Sequence, residues 1–283
     1  MKPWLIFAAP VLAGALSLGC STLDEQQRTW IFQPSDKSWA GAADAAEGME
    51  DVWIDFPSQI SGEPARLHAL WLEADSPAPD TPVLLYLHGA RWNVASSASR
   101  MRRLQSLGFS VLAIDYRGFG KSTAGLPSED TAYEDARAAW DWLAAHHPQR
   151  PRYIFGHSLG GAIAIDLASR VGDEHGTLVE GTFTSIADVA STFRWGWLPV
   201  SLLITQRFES IAKVPRIGSP LLVVHGDHDG LIPSDLGRRL YEAATGPKQF
   251  LLVEGGSHHS SMSVGERQYR EAVGRLFGLG QRS

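Results

Sequence analysis

The chain has 283 residues, of which 44% are hydrophobic and 20% charged, enough apolar side chain to bury a full core in one domain. Lys and Arg number 25 against 31 Asp and Glu, a formal charge of −6. Such an acidic balance argues against nucleic acid as a partner, and no repeat or low-complexity tract points to a fibrous or disordered class.

Lys2 is followed by an apolar run from Trp4 to Gly19, interrupted at Pro10. This has signal-peptide length and is short for a spanning helix. The run ends in Gly19-Cys20-Ser21, which resembles a bacterial lipobox; the expected reading is a signal peptide over 1–19 and lipidation at Cys20. Removing Lys2 with that leader changes the charge to −7, 24 basic minus 31 acidic. Cys20 is the single cysteine, so no internal disulfide is available, and acylation would explain a lone thiol in an exported chain. By resemblance to lipoprotein sorting in two-membrane bacteria, Ser21 rather than Asp after the cysteine implies the outer membrane, at its periplasmic face. Residues 20–46 are expected to be a lipidated tether that becomes ordered near Trp30-Ile31-Phe32, leaving 47–283 as the folded domain.

Asp51-Val52-Trp53-Ile54-Asp55-Phe56 alternates as a half-buried strand, and Leu67 to Leu72 can pair with it. Pro82 to Leu87 is a third strand, followed by His88-Gly89-Ala90-Arg91. Val111 to Asp115 is a fourth, leading into Tyr116-Arg117-Gly118-Phe119-Gly120-Lys121-Ser122, where Asp115 and Arg117 are expected to hold the loop. Ser128 caps a helix predicted to reach His147, with Glu129 and Asp130 in its first turn and Tyr133, Ala136, Trp140, Leu143 and Ala144 on one face.

Tyr153-Ile154-Phe155-Gly156-His157-Ser158-Leu159-Gly160-Gly161 then sets a serine between glycines, after a strand and before the helical run from Ala162. This is the pattern of a nucleophile elbow. The turn would place Ser158 at a helix N-terminus, where backbone N–H groups favour a developing oxyanion. Pro220 to Gly226 is a buried strand leading to Asp227-His228-Asp229, and Phe250 to Val253 is another leading to Gly255-Gly256-Ser257-His258-His259. In the order serine, acid, histidine, Asp229 is the expected acid, with Asp227 as its rival, and His258 the expected base, with His259 as its rival. The N–H of Leu159 and that of Ala90, or alternatively Arg91, are the expected oxyanion donors. Strands alternating with helices predict a mostly parallel, doubly wound α/β sheet with an antiparallel N-terminal strand.

Those motifs, Leu87-His88-Gly89, Asp115 to Ser122, Gly156 to Gly161, His225 to Asp229 and Gly255 to His258, resemble the α/β-hydrolases from Trp30 onward. The likeness is closest to the small-cap, bud-emergence-like serine hydrolases that grade into serine aminopeptidases. Ala90-Arg91-Trp92-Asn93 departs from relatives that carry Asn and further small residues there. The resemblance implies the α/β-hydrolase fold, Ser158, Asp229 and His258 as catalytic triad, and a small cap inserted at about 189–211. Trp195 and Trp197 in that insertion would line an apolar wall for an acyl chain, or else pack on the core. The expected reaction is cleavage of carboxylic esters or thioesters through an acyl-serine, with a peptidase of aminopeptidase type as the alternative and a non-catalytic envelope module as a third. No cofactor is implied. His225, Asp227, His228, Asp229, His258 and His259 include metal-ligand types, but their spacing does not match H-E-x-x-H, and no metal is expected. His88 and His225 end strands and are expected to fix loops; His68, His146, His147 and His175 are read as surface residues.

Overall fold

The computed structural model describes residues 22–192 and 203–279. The leader over 1–19, Cys20, and Trp195 and Trp197 of the expected cap lie outside the described residues. Eight strands form one sheet: β1 (Glu50–Pro57), β2 (Pro64–Leu72), β3 (Val83–Leu87), β4 (Ser110–Ile114), β5 (Arg152–His157), β6 (Gly176–Glu180), β7 (Leu221–Gly226) and β8 (Lys248–Val253). Around it lie helices α1 over residues 22–32, α2 (Ala42–Ala45), α3 (Ala98–Ser106), α4 (Glu129–His146), α5 (Leu159–Ala168), α6 (Ile186–Ser191), α7 (Ser210–Lys213), α8 (Ser234–Ala243), α9 (Ser261–Val264) and α10 (Glu266–Phe277).

The spatial order is β1-β2-β4-β3-β5-β6-β7-β8. From β4 onward across the sheet all neighbours are parallel, whereas β2 runs antiparallel to both β1 and β4. β3, β4, β6 and β7 are buried at every position, as expected when helices cover both faces and no strand needs a polar side. One apolar cluster, built around Leu85, Ile114, Ile163 and Val223, fills one face. The other, around Tyr86, Phe109, Phe155 and Val224, fills the opposite face.

Chain direction reverses beside β3: it leaves for β4 on one side and returns to β5 on the other. A crevice opens at the carboxyl ends of strands at such a switch point. Leu87 and Gly156 are register partners there, so the loop at His88 and the turn at Ser158 leave the sheet side by side.

α4 starts as its sequence predicts. The Ser128 hydroxyl accepts the Thr131 N–H, and the Thr131 hydroxyl accepts the Ser128 N–H at 2.8 Å. A reciprocal cap of this kind contributes about 1 kcal/mol. Arg117 donates to buried Asp135 at 2.7 Å and to the Ser58 hydroxyl at 2.7 Å, which ties the loop after β4 to α4.

Of the expected tether, 20–46, the described residues from 22 onward are tied to the domain at several points. Phe32 ends α1 fully buried, its ring 5.8 Å from that of Phe208. The Arg28 guanidinium donates to the Pro127 carbonyl at 2.9 Å, and Gln206 donates to Asp24 at 2.9 Å. A phenylalanine able to close the end of the core makes this docking favourable, so order begins ahead of Trp30.

Candidate active site

Ser158 sits between β5 and α5 with φ 57° and ψ −122°, a backbone conformation that costs a non-glycine residue on the order of 1–3 kcal/mol. Two main-chain bonds hold it there: its N–H donates to Glu180 O at 2.9 Å, and its carbonyl accepts the Gly161 N–H at 2.9 Å. The turn needs bare backbone around it. A Cβ at Gly156 would lie 2.2 Å from the Gly160 carbonyl oxygen, and one at Gly160 would lie 2.1 Å from the Leu87 carbonyl oxygen.

Three distant stretches converge on this serine. His258 Nε2 lies 3.0 Å from Ser158 Oγ, and His258 Nδ1 lies 2.8 Å from Asp229 Oδ2. The other carboxylate oxygen accepts the N–H groups of Leu231 at 2.9 Å and Ile232 at 2.8 Å. Burial works against the Asp229 charge, but hydrogen bonds from His225 and His258, attraction to the His258 ring when it is protonated and the Ile232 N–H outweigh it and hold the carboxyl well below its usual range. An ionised Asp229 keeps the proton of His258 on Nδ1, which leaves Nε2 as acceptor for the serine hydroxyl. That arrangement can draw the proton from Oγ and return it to a leaving group.

The neighbouring histidines fix this geometry. His225 Nε2 donates to the Ile232 carbonyl at 2.9 Å and lies 3.3 Å from Asp229 Oδ2, pinning the acid's loop from behind. His157 Nε2 donates to the His258 carbonyl at 2.8 Å, linking the residue before the serine to the backbone of the base. Burial, then the charge of Arg100, push the His157 imidazole well below its usual value, so it stays neutral. His259 and Asp227 stand outside the relay, and Asp227 instead accepts the Gly255 N–H at 2.8 Å. Burial first, and repulsion from the His258 ring when it is protonated second, lower His259.

His157, His258 and His259 each bring a ring nitrogen within 4.8 Å of the others, the one such group among the described residues. They do not suit a metal ion, since His157 Nε2 is committed to a carbonyl and both nitrogens of His258 are engaged.

The loop after β3 lies against the serine: a Cβ at Gly89 would be 3.1 Å from that of Ser158. The Arg91 N–H donates to the Phe32 carbonyl at 2.9 Å, whereas no backbone acceptor among the described residues takes the Ala90 N–H. The Leu159 N–H opens α5, where first-turn donors have no intrahelical partner. Of the two expected donors after β3, only the Ala90 N–H is left without a backbone acceptor among the described residues.

Behind this loop sits a residue misread from the sequence. His68, expected at the surface, is buried, with Nδ1 3.3 Å from Asp115 and Nε2 bonded to Asp51. Strand β2 has neighbours on both sides at this point, and the Trp53 ring of β1 lies 5.1 Å from the imidazole, so His68 is enclosed. Burial opposes the imidazolium, but hydrogen bonds to Asp115 and Asp51 outweigh it and raise the His68 pKa. Asp115 in turn accepts the Val94 N–H at 2.6 Å at the far end of the loop. His88 bonds the Gly89 carbonyl at 2.6 Å, the loop-fixing role expected of it.

A cleft of about 700 Å³ opens over Ser158, within the usual range for small-molecule sites. Phe183, Ile186, Val189 and Ile232 give it apolar walls. Arg91, Arg100 and Arg103 also line it, and among the described residues no carboxylate does. Arg100 is held by buried Glu180 at 2.8 Å. Sequence reasoning missed these guanidinium groups, because Arg100 and Arg103 look like the solvent face of an ordinary amphipathic helix.

Comparison with known proteins agrees with this architecture. A family model described as serine aminopeptidase, S33, matches residues 78–188. An uncharacterized protein of Mycobacterium tuberculosis is 30% identical over 276 residues, 97% of this chain and 94% of its own. Lysophosphatidylserine lipase ABHD12 of Rattus norvegicus is 31% identical over 217 residues, 70% of this chain and 54% of the lipase, so the chain spans about half the length of that relative. A Pyrococcus furiosus esterase structure superposes with a TM-score of 0.67 at 19% identity, covering 86% of this chain and 94% of that one. Fold, motif order and full-length similarity together show that the chain belongs to the α/β-hydrolase superfamily.

Proposed function

We propose that the chain is a serine hydrolase that cleaves carboxylic esters or thioesters through an acyl-serine intermediate. Ser158 Oγ attacks the carbonyl while His258 takes its proton; Asp229 fixes the imidazole tautomer and stabilises the imidazolium; the N–H groups of Ala90 and Leu159 receive the oxyanion. His258 then protonates the leaving group, and water repeats the sequence to free the acid. The single observation that supports this most is the unbroken line from Asp229 through His258 to Ser158, at 2.8 and 3.0 Å. Apolar walls suit an acyl chain. An aminopeptidase would need a carboxylate for the substrate ammonium, and the cleft presents guanidinium groups among its described residues, so the esterase reading stands ahead.

Fluorophosphonate labelling with site mapping tests the proposal. The label should fall on Ser158, and Ser158→Ala should abolish it and lower turnover of a p-nitrophenyl acyl ester by about 10⁴-fold while the chain stays folded. Labelling elsewhere, or near-normal turnover in the variant, would reject the assignment; competition with esters, thioesters and peptides ranks substrates.

The proposed location is the bacterial envelope, through a lipid on Cys20 after removal of residues 1–19. The Gly19-Cys20-Ser21 sequence after an apolar run supports it. Among the described residues, no helix is long and apolar enough to cross a membrane. A Cys20→Ala chain should fail to incorporate labelled palmitate; incorporation at the wild-type level removes the anchor.

A further inference from the structure

The mouth of the cleft carries an unusual set of exposed side chains. Trp30 is 66% exposed, Leu231 49%, Trp39 43% and Trp92 43%, and all four line this one opening. They come from α1, the segment after it, the loop after β3 and the loop after β7, so four separate parts of the chain converge on one apolar rim. Exposed tryptophans gathered in this way mark an interaction surface rather than scattered surface apolar residues. Trp39 is fixed in place, its indole N–H donating to the Ser96 carbonyl at 2.9 Å.

Charge on the rim is opposite to that of the whole chain. Arg91 and Arg103 stand among these aromatics in a protein of net charge −6. Arg91 Nε donates to Gln33 at 2.7 Å, which holds its guanidinium over the rim, and Arg103 meets Glu266 only at 3.5 Å. Indole rings favour the level of lipid headgroups, and guanidinium groups favour anionic phosphates.

The course of the chain argues for the same occupant. The described part of α1 begins at residue 22, eight residues before Trp30, or about 12 Å along a helix. Ahead of it stand Cys20 and the apolar run from Trp4 to Gly19. Any attachment made through these residues holds the cleft mouth close to a bilayer.

We propose that this rim docks on an anionic phospholipid bilayer. Trp30, Trp39, Trp92 and Leu231 enter the headgroup layer, Arg91 and Arg103 meet lipid phosphates, and acyl-ester substrates pass from the membrane to Ser158 without crossing water. The inference rests on the acyl-ester reading of the cleft and names where that substrate resides.

The lone cysteine makes the test direct. In a full-length Cys20→Ser background, Trp30→Cys, Trp92→Cys or Gln149→Cys is labelled with an environment-sensitive fluorophore. Gln149 is exposed in the turn ahead of β5, at the opposite end of that strand from Ser158. With phosphatidylethanolamine–phosphatidylglycerol vesicles, emission should shift to the blue at 30 and 92 and stay unchanged at 149. Trp30→Glu in the same Cys20→Ser background should weaken partitioning to the same vesicles by roughly tenfold or more. No shift at 30, an equal shift at 149, or a shift that grows with protein concentration without vesicles would overturn the proposal, the last by showing a second copy on the rim. An equal response to pure phosphatidylcholine vesicles would overturn the role of Arg91 and Arg103. If the Trp92 variant does not fold, position 30 decides alone. Fluorophosphonate labelling separates the two readings: a native chain that fails to label sinks the hydrolase, and a chain that labels without a spectral shift sinks only the docking surface.

Discussion

Replacing Gly160 by alanine tests how the elbow works, because the added methyl has nowhere to go. Its Cβ would lie 2.1 Å from the Leu87 carbonyl oxygen and 2.5 Å from that of His88. Relief requires a separation of about 1 Å or more to reach ordinary contact. Leu87 cannot yield it, since β3 is bonded to β4 on one side and β5 on the other. The start of α5 must move instead, and with it Ser158 and the Leu159 N–H. A misplacement of about 1 Å at reacting groups costs about 10²-fold in rate, and overpacking costs about 1–3 kcal/mol of stability. The variant should therefore lose about 10²-fold in kcat/KM on a p-nitrophenyl ester while its thermal transition falls by several degrees. Gly172→Ala, where a Cβ would meet nothing within 4 Å, is the control and should change neither. A Gly160→Ala enzyme within twofold of the native kcat/KM would refute the claim that main-chain crowding sets the serine.

Two further substitutions probe the buried charges. Asp229→Asn should lower kcat by about 10⁴-fold with little change in KM, since the amide selects the wrong imidazole tautomer. The Asp229 carboxyl is depressed on folding, so its stabilisation is present above the ordinary carboxylate range and lost as pH falls through the folded value. Urea midpoints of the native chain should therefore drop more steeply in acid than those of the variant. His68→Gln has the opposite sign. The folded pKa of His68 is raised above 6.5, so its contribution is complete below 6.5 and lost as pH rises through the folded value. The native and variant midpoints should differ most in mild acid and converge in alkali; a constant gap would mean that His68 acts through packing alone.

Much of the site was legible because its chemistry is local in sequence. The elbow needs small residues at set spacings around one serine, and each partner follows an apolar strand, so Ser158, Asp229 and His258 could be read one at a time. The helix at 129–146 announced its own cap and face. What escaped depends on neighbours far along the chain. His68 looks like a surface histidine until β1 and β4 close over it with Asp51 and Asp115. Nothing in Arg91 alone shows that its N–H is committed to Phe32; that bond exists only because α1 folds back over the loop. The same return of the chain explains why Trp30, apparently part of a leash, stands over the cleft.

The stretch from Phe32 to Lys37 also stitches the loops after β3 and β4 from outside. The N–H groups of Arg91, Asn93 and Gly120 end on the carbonyls of Phe32, Lys37 and Ser35, at 2.9, 3.0 and 3.1 Å. A shortened gene product beginning at Ala40 would keep every strand and the side chains of Ser158, Asp229 and His258, yet leave three amide donors of the loops after β3 and β4 to water. Biochemists trimming the front of this protein for solubility should stop well before Phe32.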